Sequence, residues 1–503
     1  MRSSGILMHL SSLSSPYGIG SMGKPARDFI DFLKAAGQGY WQLLPICPTS
    51  YGDSPYQSFS TYAGNPYFID LELLEADGLL EWQEYGEVDW ESAPDRVNYG
   101  VLYEKRYPIL RKAAERFLTR IPSDYSEFCV NNDYWLGDYA RFMAMKHAHG
   151  GAPWQEWEAL SAEEIELRYA EEIRFWKVLQ YLFFRQWKEL RAYANEQGIR
   201  LIGDLPIYVS LDSVDVWAHP ELFQLDENRN PKEVAGCPPD GFSADGQLWG
   251  NPLFDWKYME RNDYDWWVRR IQYLCKVYDI LRIDHFRGFD SYYAIPYGNT
   301  TARGGRWKQG PGIALFRAVE EQIGPQRIIA EDLGFLTPSV LKLVKKTGFP
   351  GMKVLEFAFD ASGESSYLPH RYPKNCVVYT GTHDNMTLQG WYCSLEPDAK
   401  AFAIRYLGNP YTPEGEIHWD YIRLALASVA KLAVIPVQDY LGLGDWARTN
   451  EPSTLGKNWR WRMKKNDLTP ELLAKCREMA ETYGRVKKEK SGQPEETEKL
   501  KKA

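Results

Sequence analysis

The sequence lacks a long apolar run and an excess of basic charge. No segment approaches the roughly 20 apolar residues that span a bilayer, and the short run at residues 6–8 is too brief for a signal peptide core. The 59 Lys and Arg residues face 68 Asp and Glu residues, giving a formal net charge of −9. Binding to a phosphate backbone needs a basic surface. We therefore expect neither a membrane nor a nucleic acid as partner.

Paired cysteines and glycine-rich phosphate loops are also missing. The seven cysteines are odd in number, scattered, and without a Cys-x-x-Cys pair. This pattern indicates neither a disulfide framework nor a zinc site and is typical of reduced thiols, so it predicts a cytoplasmic protein. No phosphate-binding loop of the Walker type occurs. We predict no metal and no cofactor.

Aromatic residues, by contrast, are abundant: 19 Trp, 33 Tyr and 21 Phe. Many of them fall in stretches rich in Gly, Pro and Asn, which are typical of loops. Aromatic faces beside polar groups suit flat, hydroxyl-rich ligands such as sugars, although Tyr and Trp also serve cores and protein interfaces.

Eight short apolar segments alternate with helical patterns along the chain. The helical patterns include residues 25–36, 315–322 and 338–346. Eight strands alternating with helices predict an α/β fold of the (β/α)8 TIM-barrel type, with a doubly wound open sheet as the alternative. The predicted strands are residues 6–10, 40–45, 199–205, 279–288, 327–333, 352–357, 377–380 and 432–437.

The same pattern predicts one domain, residues 1–484. Two insertions interrupt the alternation: a helical one at about 72–197 and a loop-rich one at about 213–267. The second carries a Gly- and Pro-rich segment, residues 236–252, predicted to form a flap that exposes Phe242 and Trp249. The loop at residues 49–67 is a second candidate binding wall. The Lys/Glu-rich tail, 485–503, has a composition that predicts disorder.

The stretch Asp279 to Gly288 carries more charge than a short buried strand normally holds. Arg282 and Asp284 stand one alternation apart, so both point to the same side of the strand. A guanidinium there is expected to keep the carboxylate ionised by lowering its pKa, which prepares a nucleophile. A structural ion pair is the alternative interpretation. His285 and Arg287 have no assigned role beyond packing.

Three acids follow predicted strands: Asp284, Glu331 and Asp384. Retaining glycosyl transfer needs a nucleophilic carboxylate and a protonated acid about 5–5.5 Å apart, and adjacent strand ends, roughly 4.8 Å apart, meet that need. Glu331 follows an apolar segment that would raise its pKa, as suits the acid.

Other interpretations of these acids stay open. Glu331 and Asp332 would also serve as a helix N-cap pair, and the segment Thr382 to Asp384 would also form a turn stabilised by an Asx hydrogen bond. A magnesium site for phosphoryl chemistry is a further alternative, which the missing phosphate loop makes less favourable.

The motifs themselves resemble the 4-α-glucanotransferases, also called amylomaltases or disproportionating enzymes, of glycoside hydrolase family 77 in the α-amylase clan. The resemblance covers nearly the whole chain to about Gly484. It rests on seven motifs in order: Gly52-Asp-Ser-Pro-Tyr-Gln-Ser58, Ile202-Gly-Asp-Leu-Pro206, Gly246-Gln-Leu-Trp-Gly-Asn-Pro252, Arg282-Ile-Asp-His-Phe-Arg-Gly288, Ala330-Glu-Asp-Leu-Gly334, Thr382-His-Asp-Asn385 and Gln438-Asp-Tyr-Leu-Gly442.

The resemblance implies a single catalytic barrel domain with inserted subdomains and no separate C-terminal β-domain. It also implies a double displacement through a covalent glucosyl-enzyme. It implies Asp284 as nucleophile, Glu331 as general acid/base and Asp384 as the acid that stabilises the transition state. The expected partners are α-1,4-glucans (maltooligosaccharides, amylose, starch or glycogen chains), with glucose as acceptor. The implied glucan contacts are Arg282, His383, Asp204, Tyr56, Trp249, Phe357, Ser54, Asp53, Tyr51, Phe242 and Asn450.

Two other functions remain open from the sequence. A hydrolase of the same clan would give only shorter products, whereas a transferase gives both longer and shorter glucans, including rings. A catalytically silent glucan-binding protein would show no turnover. The sequence leaves the oligomeric state open.

Overall fold

The computed structural model describes residues 2–91, 93–239, 243–360 and 362–486. At its centre, eight parallel strands close into a barrel in the order β1-β12-β11-β10-β9-β6-β3-β2. The twelve strands are β1 Ser3–Leu7, β2 Tyr40–Gln42, β3 Arg200–Leu205, β4 Glu233–Cys237, β5 Gln247–Pro252, β6 Ile280–Ile283, β7 Ser291–Pro296, β8 Arg306–Gln309, β9 Ile328–Ala330, β10 Gly351–Val354, β11 Cys376–Tyr379 and β12 Leu432–Pro436.

The barrel confirms the predicted fold class and excludes the open sheet, because β1 pairs with both β2 and β12. All eight predicted strand segments are present, but most strands are shorter than predicted. The first begins at Ser3 and ends at Leu7, since Leu10–Ser12 form a 3-10 turn. The sixth ends at Val354, where a 3-10 turn, Leu355–Phe357, begins. The residues beyond each strand have left the hydrogen-bonded ring, which frees their side chains for the cleft.

Sixteen α-helices cover the barrel and form the first insertion. They are α1 Lys24–Ala35, α2 Leu71–Ala76, α3 Tyr99–Thr119, α4 Tyr125–Asn131, α5 Asp133–Ala148, α6 Ala162–Glu196, α7 Val214–Ala218, α8 Trp256–Arg261, α9 Asp265–Val277, α10 Ile313–Ile323, α11 Pro338–Thr347, α12 Leu388–Ser394, α13 Pro397–Leu407, α14 Ile417–Ala427, α15 Val437–Tyr440 and α16 Pro470–Thr482. This count refers to the described residues.

The first insertion is helical, as predicted, and α6 is its longest member. Ser161 and Glu164 form a reciprocal capping box at its start, which satisfies two main-chain N–H groups that would otherwise lack partners. A non-helical residue, Tyr169, kinks the helix. The α6 side chains Gln180 and Gln186 exchange hydrogen bonds with the main chain of Gly64 and Asp70, so this helix braces the loop that follows β2.

The second insertion is more regular than predicted. Strands β4 and β5 join β7 and β8 in a four-stranded antiparallel sheet, order β5-β4-β7-β8, which we call the flap sheet. Sequence patterning missed β7 and β8, because the segment Ser291 to Gln309 contains a Gly-rich break at residues 298–305. The flap sheet therefore recruits residues from beyond β6 and stands next to the strand that carries Asp284.

The predicted start of the tail needs a correction. Arg485 is 1% exposed and donates hydrogen bonds to the carbonyls of Ser3 (2.8 Å) and Leu426 (2.7 Å). The fold thus continues past residue 484, and residues 487–503, most of the predicted disordered tail, lie outside the described part of the chain. Within the described ranges, no helix combines the length and apolarity that crossing a membrane requires.

Candidate active site

Asp284 and Glu331 lie at the ends of adjacent barrel strands. Strands β6 and β9 are hydrogen-bonded to each other, and their last pair is Ile283 with Ala330. Asp284 and Glu331 are the next residues on each strand, at a neighbouring-strand separation of roughly 4.8 Å. The barrel register therefore places the two carboxyl groups side by side.

Two main-chain amides hold the Glu331 carboxyl group. The N–H of His285 donates to Oε2 at 2.5 Å, and the N–H of Leu333 donates to Oε1 at 3.2 Å. His285 has the left-handed conformation, with φ 49° and ψ 46°, which non-Gly residues adopt rarely. This turn directs its N–H back toward the neighbouring strand.

A buried ion network supports Asp284 from the other side. Arg282 pairs in register with Asp204 on β3, and its Nη1 donates to both Asp204 oxygens at 2.7 Å and to Asp284 Oδ1 at 3.0 Å. The side chains of Arg282 and Asp204 are 4% and 0% exposed, whereas that of Asp284 is 26% exposed. The predicted Arg282–Asp284 pair is thus present, and Asp204 completes it.

The pKa of Asp284 departs from the sequence expectation. Burial raises it to about 7, and Arg282 opposes this shift without bringing the pKa below its ordinary value. Burial and the Asp284 charge raise the pKa of Glu331 to about 8. Arg282 does lower the Asp284 pKa, as predicted. The prediction of a net lowering is wrong, because burial raises this pKa by more than Arg282 lowers it. The Asp284 charge adds to the effect of burial at Glu331, which favours a protonated Glu331 beside an ionised Asp284.

Asp384 lies in the loop that follows β11, and its 42% exposed side chain is held at one oxygen. Asn450 Nδ2 donates to Asp384 Oδ1 at 2.7 Å, and Arg448 Nη2 donates to the Asp384 carbonyl at 2.6 Å. His383 Nε2 lies 3.3 Å from the same carboxyl oxygen. Asn450, predicted as a glucan contact, therefore has a direct hydrogen bond to this acid.

The Asp384 loop is fixed from behind by buried polar groups. Asn385 Oδ1 accepts hydrogen bonds from the N–H (2.9 Å) and hydroxyl (2.8 Å) of Thr382, which confirms a side-chain-closed turn here. Asp439 accepts from the Thr380 hydroxyl at 2.5 Å and the Leu388 N–H at 2.8 Å. Glu356 is buried against this turn, and burial raises its pKa well above the ordinary value.

Tyr56 connects this loop to Asp204. Its hydroxyl donates to Asp204 Oδ2 at 2.7 Å, and its ring lies parallel to that of His383, with centroids 4.9 Å apart. Burial lowers the pKa of His383, so the imidazole is neutral near pH 7. Trp459 contacts both rings at 5.8 and 6.0 Å. The sequence predicted Tyr56 and His383 at the site but gave no signal for Trp459.

The remaining predicted residues of the loop at 49–67 take different places. Ser54 Oγ accepts the N–H of Tyr56 at 3.2 Å and so shapes its turn. Burial raises the pKa of Asp53, which lines a small cavity with Tyr99 and Trp459. Tyr51 belongs to a 3-10 turn, and its side chain is outside the described part.

Trp249 approaches the site from the flap sheet. Its ring stands edge-on to that of His285, with centroids 4.8 Å apart, and its carbonyl accepts a hydrogen bond from Gln57 Nε2 at 3.4 Å. Burial lowers the pKa of His285 to about 3, so this imidazole is neutral too. The predicted partner in the flap, Phe242, lies outside the described residues. Trp249 is thus placed against the residue that follows Asp284.

Phe357 and Arg287 lie on either side of the Glu331 strand. Phe357 ends the turn after β10, and its ring contacts Tyr367 edge-on at 5.5 Å. Arg287, unassigned from the sequence, donates to the Phe335 carbonyl at 2.7 Å and lies 3.7 Å from the Trp307 ring centroid. It links the flap sheet to the loop after Glu331.

The site thus holds two neighbouring carboxyl groups with raised pKa values, Asp284 and Glu331, and Asp384 is near enough for its charge to raise the pKa of Asp284. Among the described residues, no group of three or more His, Cys, Asp or Glu side chains is arranged to hold a metal ion. The arrangement matches general acid and nucleophile positions at one bond.

Comparisons with known proteins find relatives that match nearly the whole chain. The model of glycoside hydrolase family 77, described as 4-alpha-glucanotransferase, matches residues 8–469. The 4-alpha-glucanotransferase of Clostridium butyricum is 48% identical over 488 residues, which cover 95% of this chain and 100% of that protein. The Thermus thermophilus 4-alpha-glucanotransferase is 47% identical over 501 residues, covering 96% and 99%.

Solved structures of two amylomaltases are also similar to this chain. The amylomaltase from Streptococcus agalactiae in complex with acarbose has a TM-score of 0.94 at 43% identity, covering 97% of this chain and 100% of that one. The amylomaltase from Corynebacterium glutamicum has a TM-score of 0.76 at 18% identity, covering 96% and 74%, and shares the fold.

Proposed function

The chain belongs to the 4-alpha-glucanotransferases of glycoside hydrolase family 77, whose members transfer α-1,4-glucan segments by a retaining double displacement, and we propose that Asp284, Glu331 and Asp384 carry this reaction here. The observation that supports this assignment best is the adjacency of Asp284 and Glu331 at the ends of paired strands. A nucleophile and an acid must flank a single glycosidic bond, and the neighbouring positions of these two residues support that assignment.

In the first displacement, an Asp284 oxygen attacks the anomeric carbon of the donor glucan. Glu331 gives its proton to the departing 4-oxygen, so the C1–O4 bond breaks and the leaving chain departs as an alcohol. The products are a glucosyl ester on Asp284 and an ionised Glu331. The raised pKa of Glu331, about 8, supports its role as the proton donor at neutral pH.

In the second displacement, Glu331 takes the proton of an acceptor 4-hydroxyl, whose oxygen attacks the anomeric carbon. The bond from C1 to Asp284 breaks, a new α-1,4 linkage forms, and both carboxyl groups return to their starting protonation states. The acceptor is the 4-hydroxyl of glucose or of another glucan. A 4-hydroxyl on the same chain would close a ring.

Asp384 is placed to stabilise the positive charge that develops on the sugar ring. Its hydrogen bond from Asn450 fixes one carboxyl oxygen and leaves the other free for sugar hydroxyls. His383 and Arg282, with the Tyr56–Asp204 pair, supply neutral and charged donors around the same ring. These contacts become strongest when the sugar ring flattens. Transition-state stabilisation requires contacts that are stronger in the transition state than in the ground state.

Preference for a sugar acceptor over water is proposed to come from the flap sheet. Trp249 stands on β5 beside His285, so an acceptor ring that packs on Trp249 would displace water from the nucleophile. The substrates proposed are maltooligosaccharides and amylose, starch or glycogen chains, with glucose as an acceptor. A cytoplasmic location remains a prediction from the cysteine pattern.

Product analysis on maltotriose tests this function against hydrolysis. A transferase gives glucose together with maltooligosaccharides longer than three units, whereas a hydrolase gives only shorter products. Asp284→Asn is expected to abolish the ladder while the chain still folds. A wild-type digest without longer products, or near-normal glucose release by the Asn variant, contradicts the assignment.

A further inference from the structure

A cavity of about 220 Å³ lies on the outer side of the loop at residues 49–67. Helices α5, α7, α8 and α9 contribute its remaining walls. None of Asp284, Glu331 and Asp384 lines it. The cavity is therefore separate from the cleft between the acids, although one loop borders both.

Aromatic rings form one side of this cavity. Tyr134 stands edge-on to Tyr62 with centroids 5.7 Å apart, and Trp135 lies parallel to Tyr62 at 6.3 Å. Tyr62 and Trp135 are buried, but Tyr134 is 44% exposed at the rim. A large exposed ring beside a polar cavity is a platform on which the C–H face of a sugar packs.

The polar side chains that line the cavity indicate whether a charged or a neutral ligand fits it. Asp138, Asp215, Glu221 and Asp265 offer acceptors, whereas Asn262 and Arg269 offer donors. Arg269 is paired with Asp265, and Asp138 is paired with Arg141, so these charges are compensated within the wall and, among the described lining residues, no unpaired guanidinium is left to bind an anion. A neutral ligand whose groups both donate and accept hydrogen bonds, such as a sugar hydroxyl, fits this mixture.

The inner wall is held in place before any ligand binds. Asp215 is 4% exposed, and its Oδ2 accepts the Thr61 N–H at 3.0 Å. Arg270 donates to the Thr61 hydroxyl at 2.5 Å and to the Pro206 carbonyl at 2.8 Å. Its guanidinium lies 5.2 Å from the Trp266 ring centroid. A preformed wall loses little conformational freedom on binding, which favours affinity.

We propose that this cavity is a second glucan-binding site, which takes one or two glucose units of a chain whose other part occupies the catalytic cleft. The loop at 49–67 presents Tyr56 to the cleft and Tyr62 to the cavity, so a long glucan that crosses this loop engages both sites. The choice of a glucan rests on the proposed function.

Binding at two sites changes the kinetics of long and short donors differently. A chain held in the cavity has a raised effective concentration at the cleft, whereas maltotriose is too short to engage both sites. Loss of one aromatic platform is expected to raise KM for amylose about three- to tenfold. KM for maltotriose is expected to stay unchanged.

Two variants test the site, with one control. Tyr134→Ala removes the exposed platform, and Ala218→Phe places a bulky ring in the lining. Tyr411→Ala is the matched control, since Tyr411 is 89% exposed and lies outside the cavity. KM is measured for amylose and for maltotriose. Binding of maltoheptaose is measured by calorimetry in an Asp284→Asn background, which needs no turnover.

The expected result is a rise in KM for amylose alone in both cavity variants, together with the loss of one maltoheptaose site. An unchanged KM for amylose in both variants overturns the proposal, and so does an equal rise for maltotriose. Failure of the proposed function would appear separately, as a wild-type chain that makes no ladder from maltotriose. In that case calorimetry alone decides the second site, because a retained pair of binding sites in both cavity variants overturns it.

Discussion

The main-chain N–H of His285 donates to the Glu331 carboxyl group across the gap between two strands. His285 directly follows Asp284, so the residue after the proposed nucleophile holds the proposed acid. The contact does not depend on the His285 side chain, because the donor is its main-chain N–H, and the same peptide turn sets the distance between the two groups.

Glu331→Gln is expected to separate the two displacements. With maltotriose, loss of the proton donor should lower the rate about 10²- to 10⁴-fold. With α-glucosyl fluoride, whose leaving group needs no proton, Asp284 should still form its ester. Mass spectrometry should then show the chain carrying one glucosyl unit. Glu416→Gln, at an exposed surface pair with Lys475, is the control. A Gln variant with normal maltotriose turnover contradicts the assignment of Glu331.

The pH dependence of kcat/KM should be a narrow bell placed above the range of ordinary carboxyl groups. Protonation of Asp284 removes the nucleophile, so the rate falls as the pH drops through about 7. Ionisation of Glu331 removes the acid, so the rate falls as the pH rises through about 8. The two limbs belong to the coupled pair. A flat profile between pH 5 and pH 9 would show that other groups limit the reaction.

The Glu331 carboxyl group also makes the free energy of unfolding depend on pH. The pKa of Glu331 rises from its ordinary value of 4.5 to about 8 in the fold. The stability that its bound proton contributes is fully present below pH 4.5 and is lost as the pH rises through about 8. Glu331→Gln has no such loss. The free energy of unfolding of both proteins is measured by urea titration. The value for Glu331→Gln minus the value for the wild type should increase from pH 5 to pH 8. Parallel curves would mean that Glu331 has an ordinary pKa.

Asn450→Ala should lower kcat while leaving the fold intact. The Asn450 amide fixes one oxygen of Asp384 at 2.7 Å, and a small misplacement of a catalytic group can lower the rate about 10²-fold. Steady-state kinetics and thermal unfolding are compared with those of Asn131→Ala, an exposed amide on α4. A change in KM alone would indicate that Asn450 acts only as a glucan contact.

Gly381→Ala should disturb the Asp384 loop. A Cβ at this position would lie 2.6 Å from Glu356 Oε1 and 3.1 Å from the Asn385 Cβ. We expect a lower unfolding temperature and a loss of transfer. The double change Gly381→Ala with Glu356→Ala makes room and should recover part of both. Gly415→Ala, where no atom lies within 4 Å, is the neutral control. Additive effects in the double variant would exclude contact between the two positions.

Sequence patterning predicted the barrel because its signals are local. Apolar strand residues and helical periodicity identified the eight strands and placed Asp284, Glu331 and Asp384 at strand ends. The contacts that hold these acids could not be predicted in this way. Asn450 reaches Asp384, and Tyr56 reaches Asp204, only after the ring has closed. Each of these pairs is distant in sequence, so no spacing rule indicates it.

The net pKa of Asp284 was missed for a related reason. The sequence shows the Arg282 charge but not the burial that outweighs it. The flap sheet was missed because β7 and β8 pair with strands of the preceding insertion. Local propensity indicates which secondary structure a segment favours. It gives little information about which strand, distant in sequence, that segment pairs with.

The pairing of β1 with β12, which closes the barrel, affects how the chain folds during its synthesis. Strand β1 leaves the ribosome first, yet Ser3 pairs with Leu432 on β12, and Arg485 joins the two sides through the carbonyls of Ser3 and Ala430. One edge of β1 must therefore wait, unpaired, through nearly all of synthesis. The barrel closes only after β12 and Arg485 have been translated, so we expect a chain that stops before them to lack transfer activity.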